Sequence, residues 1–505
     1  MPKQPSLAPA NGTVRFTVEY SDESPIGCCG SARLQAHLRA INAPIYRLLE
    51  REGPEQVVGQ GERLLKKVFG SASFRAWCGQ NGRLASDHLH PAPESVYPNA
   101  LVASVGSEEI LRVPWTKETS SELHDAVAHW AGDPGLAPSA LGAPLDEYLR
   151  QNRSPENRLP KDSGQAIDWG NADAVFLGHN TVAVRFKGQC LVVDPWFVPM
   201  AARYPRGYQP LQRGQLGPVD AVAITHSHPD HFDPGSLLQF HRDTLMLVPK
   251  VPKESLLSFD LSYRLQEMGF RKVVALGWWE SRKIGDITIT ALPFYGEQPT
   301  DADQLYPEVR NWGNFYHLQT PRLRCAIVAD GGQDRDGTVK NVAFEAYRRW
   351  GAIDLLFSGY RGWALYPIQY FESSVREYLL FVPPELYSVR QSIMNTCDEA
   401  VDAAEAWHAR YLVPYADGGA PWFSEIGLGP TYPVPKANPK HAKSFFDPYP
   451  ERCLEALRLR SEPIPGIGVG SPVEALLLRP GESCVMNRRR ATVRGYAGHR
   501  WPSGW

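Results

Sequence analysis

No run of about 18 apolar residues occurs in this chain of 505, so no membrane-spanning helix is expected. The N-terminal stretch MPKQPSLAPANGTVRF also lacks the apolar core of a secretory signal, and a cytoplasmic protein is the resulting expectation. An excess of one charge is missing too. Lys+Arg number 53 and Asp+Glu 55, a formal net charge of -2, which removes the basic field on which nucleic-acid binding usually rests. The eight cysteines, Cys28, Cys29, Cys78, Cys190, Cys325, Cys397, Cys453 and Cys484, have neither zinc-ribbon spacing nor the density of a disulfide framework. They are expected to be mostly reduced and buried, and the adjacent Cys28 and Cys29 lack the CxxC spacing of a redox pair. Neither nucleic acid nor membrane is therefore expected as a partner.

Hydrophobic residues make up 43% of the chain, enough for real cores, and at roughly 150 residues per domain the length implies two to four domains. Residues 132–164 are rich in Gly, Pro and polar side chains, the composition of a connection. They place a boundary near residue 165. An N-terminal domain over 1–165, a catalytic domain over 166–430 and a C-terminal extension over 431–505 packed on it are expected.

In the first part, residues 32–51 carry Leu34, Leu38, Ile41, Ile45 and Leu48 on one helical stripe, and 55–69 repeats the spacing. Residues 100–115 alternate like a pair of strands before SSELHDAVAHWAG returns to helix, so this part is mixed α+β. Its histidines, His88, His90, His124 and His129, have no ligand spacing and read as surface or core. After the boundary, DAVFLGHNTVAVRFKGQCLVVDPWF reads as three strands, with Lys187-Gly188 turning the second hairpin. Further strands in GDITITALPFYG, FYHLQTPRLRCAIVAD, IDLLFSG and RYLVPYADGG, with helices near 234–241 and 396–409, imply a layered α/β body. One helix is expected in the tail, near 449–461.

The segment AITHSHPDHFDP, residues 223–234, places His226, His228, Asp230 and His231 directly after the apolar run 219–224. His226 and His228 alternate along an extended backbone and can face the same side, while Pro229 breaks the strand before Asp230 and His231. One metal can take the first two and a neighbouring metal the second two. Imidazole nitrogen with carboxylate oxygen suits zinc, iron or manganese.

With the upstream LGHNTVAVRFKGQCLVVDPWF, the motif resembles the metallo-β-lactamase superfamily, in particular the branch whose first strands read Gly-His-x-(Ser/Thr) and then Val-Asp-Pro. The resemblance covers residues 168–420. It implies an α/β fold, an αββα sandwich with metals at one edge, preceded here by the mixed α+β N-terminal domain. It also makes Asp194 a supporting carboxylate and sets His179 near the pocket rather than on metal, against the plainer reading of His179 as a residue closing a turn.

A hydrolase of that superfamily would next supply a histidine after a strand, a bridging aspartate, and a last histidine. The aspartate is present as Asp330, ending the apolar strand in CAIVADGGQD. The first outer slot reads ITALPFYGEQP, and the side chain it offers is Glu297. No histidine lies between His241 and His317, and His317 sits at the wrong end of its strand. In the last slot, HARYLVPYADGGAPWF, His408 precedes the strand, so Asp417 is the better candidate; its rival reading is the Asp-Gly-Gly turn. Carboxylates in place of imidazoles harden the donor set and favour iron or manganese over zinc.

A glutamate in this slot beside HxHxDH is similar to the dinuclear-iron β-hydroxylases of nonribosomal peptide biosynthesis, which also carry a sizeable N-terminal domain. The resemblance implies two metal ions, iron favoured: His226, His228 and Glu297 on one, Asp230 and His231 on the other, and Asp330 bridging. The expected activity is an O2-dependent diiron oxygenase hydroxylating an amino-acid-like or carrier-protein-bound substrate, with an electron donor and a homodimer as further expectations. The alternative is a metal-dependent hydrolase of a phosphoester, lactone or amide, driven by metal-bound hydroxide. A binding module with a degenerate site is opposed by the intact cluster and Asp330. Tyr360 and Arg361, in FSGYRGWALYP, are candidates to meet substrate, Arg361 through an anionic group, although an ordinary turn explains them equally. Trp312, Trp363, Tyr366 and Trp422 are candidates to wall the pocket or to fill the core.

Overall fold

The structure, a computed structural model, describes residues 14–20, 54–90, 92, 98–105, 108–131, 169–197, 211, 213–373, 375–416, 451–461, 473–478, 480–487 and 490–494. Strands apolar at nearly every position form its centre. Val182 and Val184 of Thr181–Phe186 face one buried cluster while Ala183 faces another, and Leu191 and Val193 alternate with Cys190 and Val192 in the same way. Successive strand side chains point to opposite faces, so a strand covered on both sides reads as an unbroken apolar run.

Eight strands make the first sheet, in the spatial order Arg490–Arg494, Ser483–Asn487, Ala174–Gly178, Thr181–Phe186, Gln189–Val193, Ala221–Ala223, Leu245–Pro249 and Val273–Leu276. Seven make the second: Ser281–Ile284, Ile287–Pro293, Asn314–Gln319, Arg324–Ile327, Leu355–Ser358, Tyr411–Pro414 and Glu474–Ala475. Val184, Leu191, Ile289, Ile327 and Phe357 are among the side chains buried between the sheets. Outside the first sheet lie Leu237, Leu261 and Leu265 of the helices Pro234–Leu237 and Leu261–Glu267. Outside the second lie Val342, Ala346, Val401 and Ala404 of Val339–Trp350 and Cys397–Ala406. This is the αββα sandwich.

Gln189–Val193 and Ala221–Ala223 run parallel, as do Arg324–Ile327, Leu355–Ser358 and Tyr411–Pro414. Their C-terminal ends open at one edge, and the segments that follow them carry Asp194, the histidine motif and Asp330. Carboxyl ends of parallel strands are the usual place for a site in such sheets.

The three-stranded sheet Val14–Tyr20, Pro98–Val105 and Glu108–Pro114 shares the outer core of the first sheet through Phe16, Leu101 and Ala103. It touches the segment after the metal motif closely. A Cβ on Gly235 would stand 2.0 Å from the Phe16 carbonyl oxygen, so only glycine fits there.

Residues 363–394 form an insertion of 3-10 helices, Pro367–Glu372, Arg376–Phe381 and Pro384–Leu386, between the last two major strands of the second sheet. Tyr370, Leu379 and Phe381 are fully buried there with Val57 and Leu65 of the helix Pro54–Phe69 and with Leu256 and Leu257. At roughly 1.5–3 kcal/mol per large apolar side chain, this docking is strong.

The described part of the tail adds strands to the sandwich. Ser483–Asn487 pairs with Ala174–Gly178, and Glu474–Ala475 with Tyr411–Pro414, so it extends both sheets. The helix expected at 234–241 is shorter, Pro234–Leu237, and the one at 449–461 is Glu451–Ser461. The expected helix 32–51, the connection 132–164, Cys28 and Cys29 lie outside the described residues. Cys190, Cys325, Cys397, Cys453 and Cys484 are buried free thiols. No helix among the described residues is long and apolar enough to cross a membrane.

Candidate metal centre

The strand Ala221–Ala223 ends on Ile224 and Thr225, both fully buried, and delivers the histidines into a dry edge. His226 and His231 are fully buried, and His228 nearly so. Oε2 of Glu297 lies 2.8 Å from His226 Nε2, and Oε1 lies 2.7 Å from His228 Nδ1. Oδ2 of Asp330 lies 3.0 Å from His231 Nε2, with Oδ2 of Asp230 at 3.9 Å from the same nitrogen. Three donor groups result: His226, His228 and Glu297; His226, His231 and Asp330; and His179, Asp230 and His231, each with its donor atoms within 4.8 Å of one another.

The loop carrying Glu297 is tied on several sides. Gly296 has φ +86, and a Cβ there would meet the Gly332 nitrogen at 2.2 Å, so the turn before the glutamate requires glycine. The Gly296 N–H donates to Asp334 at 3.0 Å, and Arg310 holds that carboxylate at 2.6 Å. The Glu297 N–H donates to the Ile393 carbonyl at 2.5 Å. Glu297 itself has φ 48, Asp194 φ 45 and His179 φ 48, left-handed backbone that non-glycine residues adopt at a cost of about 1–3 kcal/mol. Three strained residues at one edge point to function.

A second ring of contacts orients the rings. Asp194 accepts from the Thr225 N–H and hydroxyl, at 2.7 and 2.6 Å, and from His231 Nδ1 at 2.7 Å. Held through Nδ1, the His231 ring turns its Nε2 toward Asp330 and Asp230. The Tyr378 hydroxyl lies 3.0 Å from His228 Nε2 and 2.8 Å from the Glu297 carbonyl oxygen. Asn180 donates to the Asp230 carbonyl at 2.6 Å.

Burial opposes charge on every group, and the close opposite charges decide the outcome. It would raise Glu297, but His228 and His226 hold its carboxyl down at about 2. Asp230 is likewise lowered against its burial, by His231 and His179. His231 is raised well above the ordinary value by Asp330, Asp194 and Asp230 despite burial, and His228 is raised by Glu297. Burial wins at His226, which is lowered with the help of the His231 charge.

These residues fit a pair of metal ions. His226 Nε2, Glu297 Oε2 and Asp330 Oδ1 are buried without a hydrogen-bond partner, an arrangement that costs about 1–3 kcal/mol per atom unless a cation satisfies them. His226 Nε2 and Glu297 Oε2 stand within contact distance of each other without hydrogen-bond alignment. The set of imidazoles and carboxylates is that of a site for zinc, iron or manganese, its oxygen share favouring the harder two.

His179 reaches the cluster through Nε2, 2.9 Å from Asp230 Oδ2, and its carbonyl accepts from the Ala416 N–H at 2.8 Å. Tyr360 is buried in the cluster that holds Phe294, Phe315 and Val401, and Arg361 is half-buried. The Gly359 N–H donates to the Ala329 carbonyl at 3.0 Å, so their loop runs beside Asp330. Neither belongs to the donor groups. Asp417 and Trp422 lie outside the described residues. Trp363 and Tyr366 pack in the insertion's core, and Trp312 packs on Trp278. His317 packs flat on Trp350 on the helix side of the second sheet, and the exposed His408 packs on Tyr347. Sequence reasoning missed Tyr378, Thr225 and Asn180. Only Thr225 and Asn180 had a signal, as polar neighbours of His226 and His179 in otherwise apolar stretches.

Residues 190–414 match the model of the beta-lactamase superfamily domain. The 4-amino-L-phenylalanyl-[CmlP-peptidyl-carrier-protein] 3-hydroxylase of Streptomyces venezuelae is 35% identical over 125 residues, 24% of this chain and 23% of that protein. The chain thus aligns with under a quarter of that relative's length. A UPF0173 metal-dependent hydrolase of Cupriavidus necator is 35% identical over 77 residues, 15% of this chain and 25% of that protein. Among solved structures, CmlA, a diiron beta-hydroxylase from Streptomyces venezuelae, superposes with a TM-score of 0.54 at 16% identity, covering 92% of this chain and 97% of that one, a likeness of fold.

Proposed function

We propose that this chain, whose residues 190–414 form a beta-lactamase superfamily domain, is a cytoplasmic diiron oxygenase that hydroxylates an amino acid carried on a peptidyl carrier protein. The observation that carries this reading is Glu297, fully enclosed with His226 and His228 at 2.8 and 2.7 Å, where a hydrolase would place a third imidazole. His226, His228 and Glu297 would hold one iron, and Asp230, His231 and Asp417 the other. Asp330 would bridge them. A reduced iron pair, when bound, supplies the electrons that activate dioxygen. Overall, a C–H bond, O2, two electrons and two protons give C–OH and water, so an external electron donor is part of the reading.

The chain's own residues prepare that chemistry. Asp194 and Thr225 lock His231, and the Glu297 loop is fastened through Gly296, Ile393 and Tyr378. The carboxylate of Glu297 is held ionised by His228 and His226, the state in which it would bind a cation. His179 fixes the orientation of Asp230. Arg361, in the loop beside Asp330, is the proposed contact for an anionic group of the substrate, with Tyr360 its neighbour. The relative that acts on 4-amino-L-phenylalanyl bound to a peptidyl carrier protein supports the carrier-bound substrate.

The similarity to a metal-dependent hydrolase keeps the second reading, hydrolysis by a metal-bound hydroxide, in play. Incubating the iron-loaded, reduced protein with aromatic aminoacyl carrier protein under isotopically labelled O2 separates the two. The oxygenase places labelled oxygen on the amino acid. A hydrolase releases the amino acid unlabelled, which would overturn the reading.

A further inference from the structure

We propose that Tyr378 is a positioning residue that keeps the proton of His228 on Nε2, leaving Nδ1 for the metal, using one hydroxyl that also holds the backbone of Glu297. The inference rests on the metal-binding part of the reading above.

A phenol has one proton to give. The Tyr378 hydroxyl stands 2.8 Å from the Glu297 carbonyl oxygen, which can only accept, so the proton goes there. Nε2 of His228, 3.0 Å from the same hydroxyl, must then be the donor. A neutral imidazole carries a single proton, and with that proton on Nε2 the lone pair is left on Nδ1, the atom 2.7 Å from Oε1 of Glu297. Nδ1 is therefore the nitrogen presented to a cation shared with Glu297. The opposite assignment would put the His228 proton on the atom that must bind metal and leave two oxygens facing each other across 2.8 Å, whereas in the chosen one the shared cation would take up the 2.7 Å contact between Nδ1 and Oε1. Asn311 supports the chosen arrangement, its Nδ2 lying 3.2 Å from the Glu297 carbonyl and 3.4 Å from the Tyr378 oxygen.

One hydroxyl thus touches two ligands of the same ion, one through its ring and one through its backbone. It comes from the 3-10 helix Arg376–Phe381, outside the strands that supply the ligands. Tyr370 is a built-in control. It is equally buried, meets Tyr378 edge to face at 5.3 Å, and spends its own hydroxyl on the Pro299 carbonyl at 2.8 Å.

Zinc serves as the probe, with the full chain, in competition with a chromophoric chelator. Tyr378→Phe keeps the ring and its packing, and one of the two zinc ions is expected to bind about 10- to 100-fold more weakly while the other is unchanged. Tyr370→Phe should bind both as the unaltered protein does. Nitrogen-15 spectra of the zinc-loaded unaltered protein should show the His228 proton on Nε2, a readout that needs no variant to fold. Unchanged affinity in Tyr378→Phe, an equal loss in Tyr370→Phe, or a His228 proton on Nδ1 would each overturn the inference. Uptake of fewer than two zinc ions by the unaltered protein would overturn the dinuclear reading and this inference together, whereas two ions with an unaffected Tyr378→Phe would overturn this inference alone.

Discussion

The two ends of the metal site lean on different parts of the chain. His231 is backed by Asp194, which follows a central strand of the first sheet and takes three hydrogen bonds from Thr225 and His231, Asp230 by His179 and Asn180, and Asp330 meets the His231 ring so held. His228 and Glu297 are backed instead by loops, Gly296 on Asp334, Glu297 on Ile393, and both His228 and Glu297 on Tyr378, while His226 keeps a link to the first sheet through the Thr225 hydroxyl at 3.0 Å. The first arrangement comes with the sandwich and cannot change without it. The second is shared between the loop that follows Ile287–Pro293 and the insertion, and can be altered while the sheets stay intact. The end that distinguishes oxygenase from hydrolase is thus the end that the fold leaves adjustable.

The harshest way to break this comparison is Asp194→Ala. It strands the Thr225 N–H in a fully buried setting, at about 1–3 kcal/mol, and removes the charged acceptor of the Thr225 hydroxyl and of His231 Nδ1, about 1.5–3 kcal/mol for each, leaving those two with their own 3.1 Å contact. Denaturant unfolding of the metal-free protein should show a loss of at least about 3 kcal/mol, and elemental analysis should show both ions depleted. Retention of both ions at ordinary stability would mean that the sandwich does not secure its end of the site.

A smaller effect is expected at the adjustable end. Glu297→Ala should lose one ion and keep the other, with stability lowered by about 1–3 kcal/mol for the buried imidazoles left unpaired and oxygen-dependent turnover lowered by at least about 100-fold. Glu297→His should keep both ions, prefer zinc over iron and lose the oxygen-dependent activity, because a third imidazole softens the donor set. Metal content and turnover unchanged in Glu297→Ala would reduce the glutamate to a turn residue.

The smallest effect on the site comes from a histidine that neither end uses. His317 is buried, its Nε2 lacks a partner, and burial lowers it to about 4. The unfolded chain therefore binds a proton between about pH 6.5 and 4 that the folded one refuses. Its contribution is fully present above pH 6.5 and is lost as pH falls to 4, by about 3 kcal/mol in total. His317→Phe should remove its share of this pH dependence, leaving that of His124, which burial also lowers to about 4, and leave metal content untouched. A profile as steep as that of the unaltered protein, or loss of metal, would contradict the placement.

The sandwich and most of the donors could be read from the residues because both follow short-range rules. Strands buried on both faces need unbroken apolar runs, and His226, His228, Asp230 and His231 sit within six positions at a strand end. Glu297 and Asp330 were readable because each follows an apolar strand by a few residues. The supports at the adjustable end were not. Tyr378 lies in REYLLF, a 3-10 turn with no helical or strand period, and its hydroxyl meets His228 only through tertiary packing. The tail strands were missed for a related reason, since Ser483 finds Val175 from the far end of the chain and strand pairing leaves no local mark. His179 could be placed near the pocket, but its contact with Asp230 depends on a left-handed backbone that no residue type announces.

Oxygen uptake by the anaerobically reduced, iron-loaded protein tests the central claim most directly. The account predicts consumption of O2 in proportion to the iron pairs present, with a change in the absorption spectrum, and none by the zinc-loaded protein. Iron-loaded protein that carries two ions per chain and leaves oxygen untouched, while the zinc form cleaves esters, would contradict it.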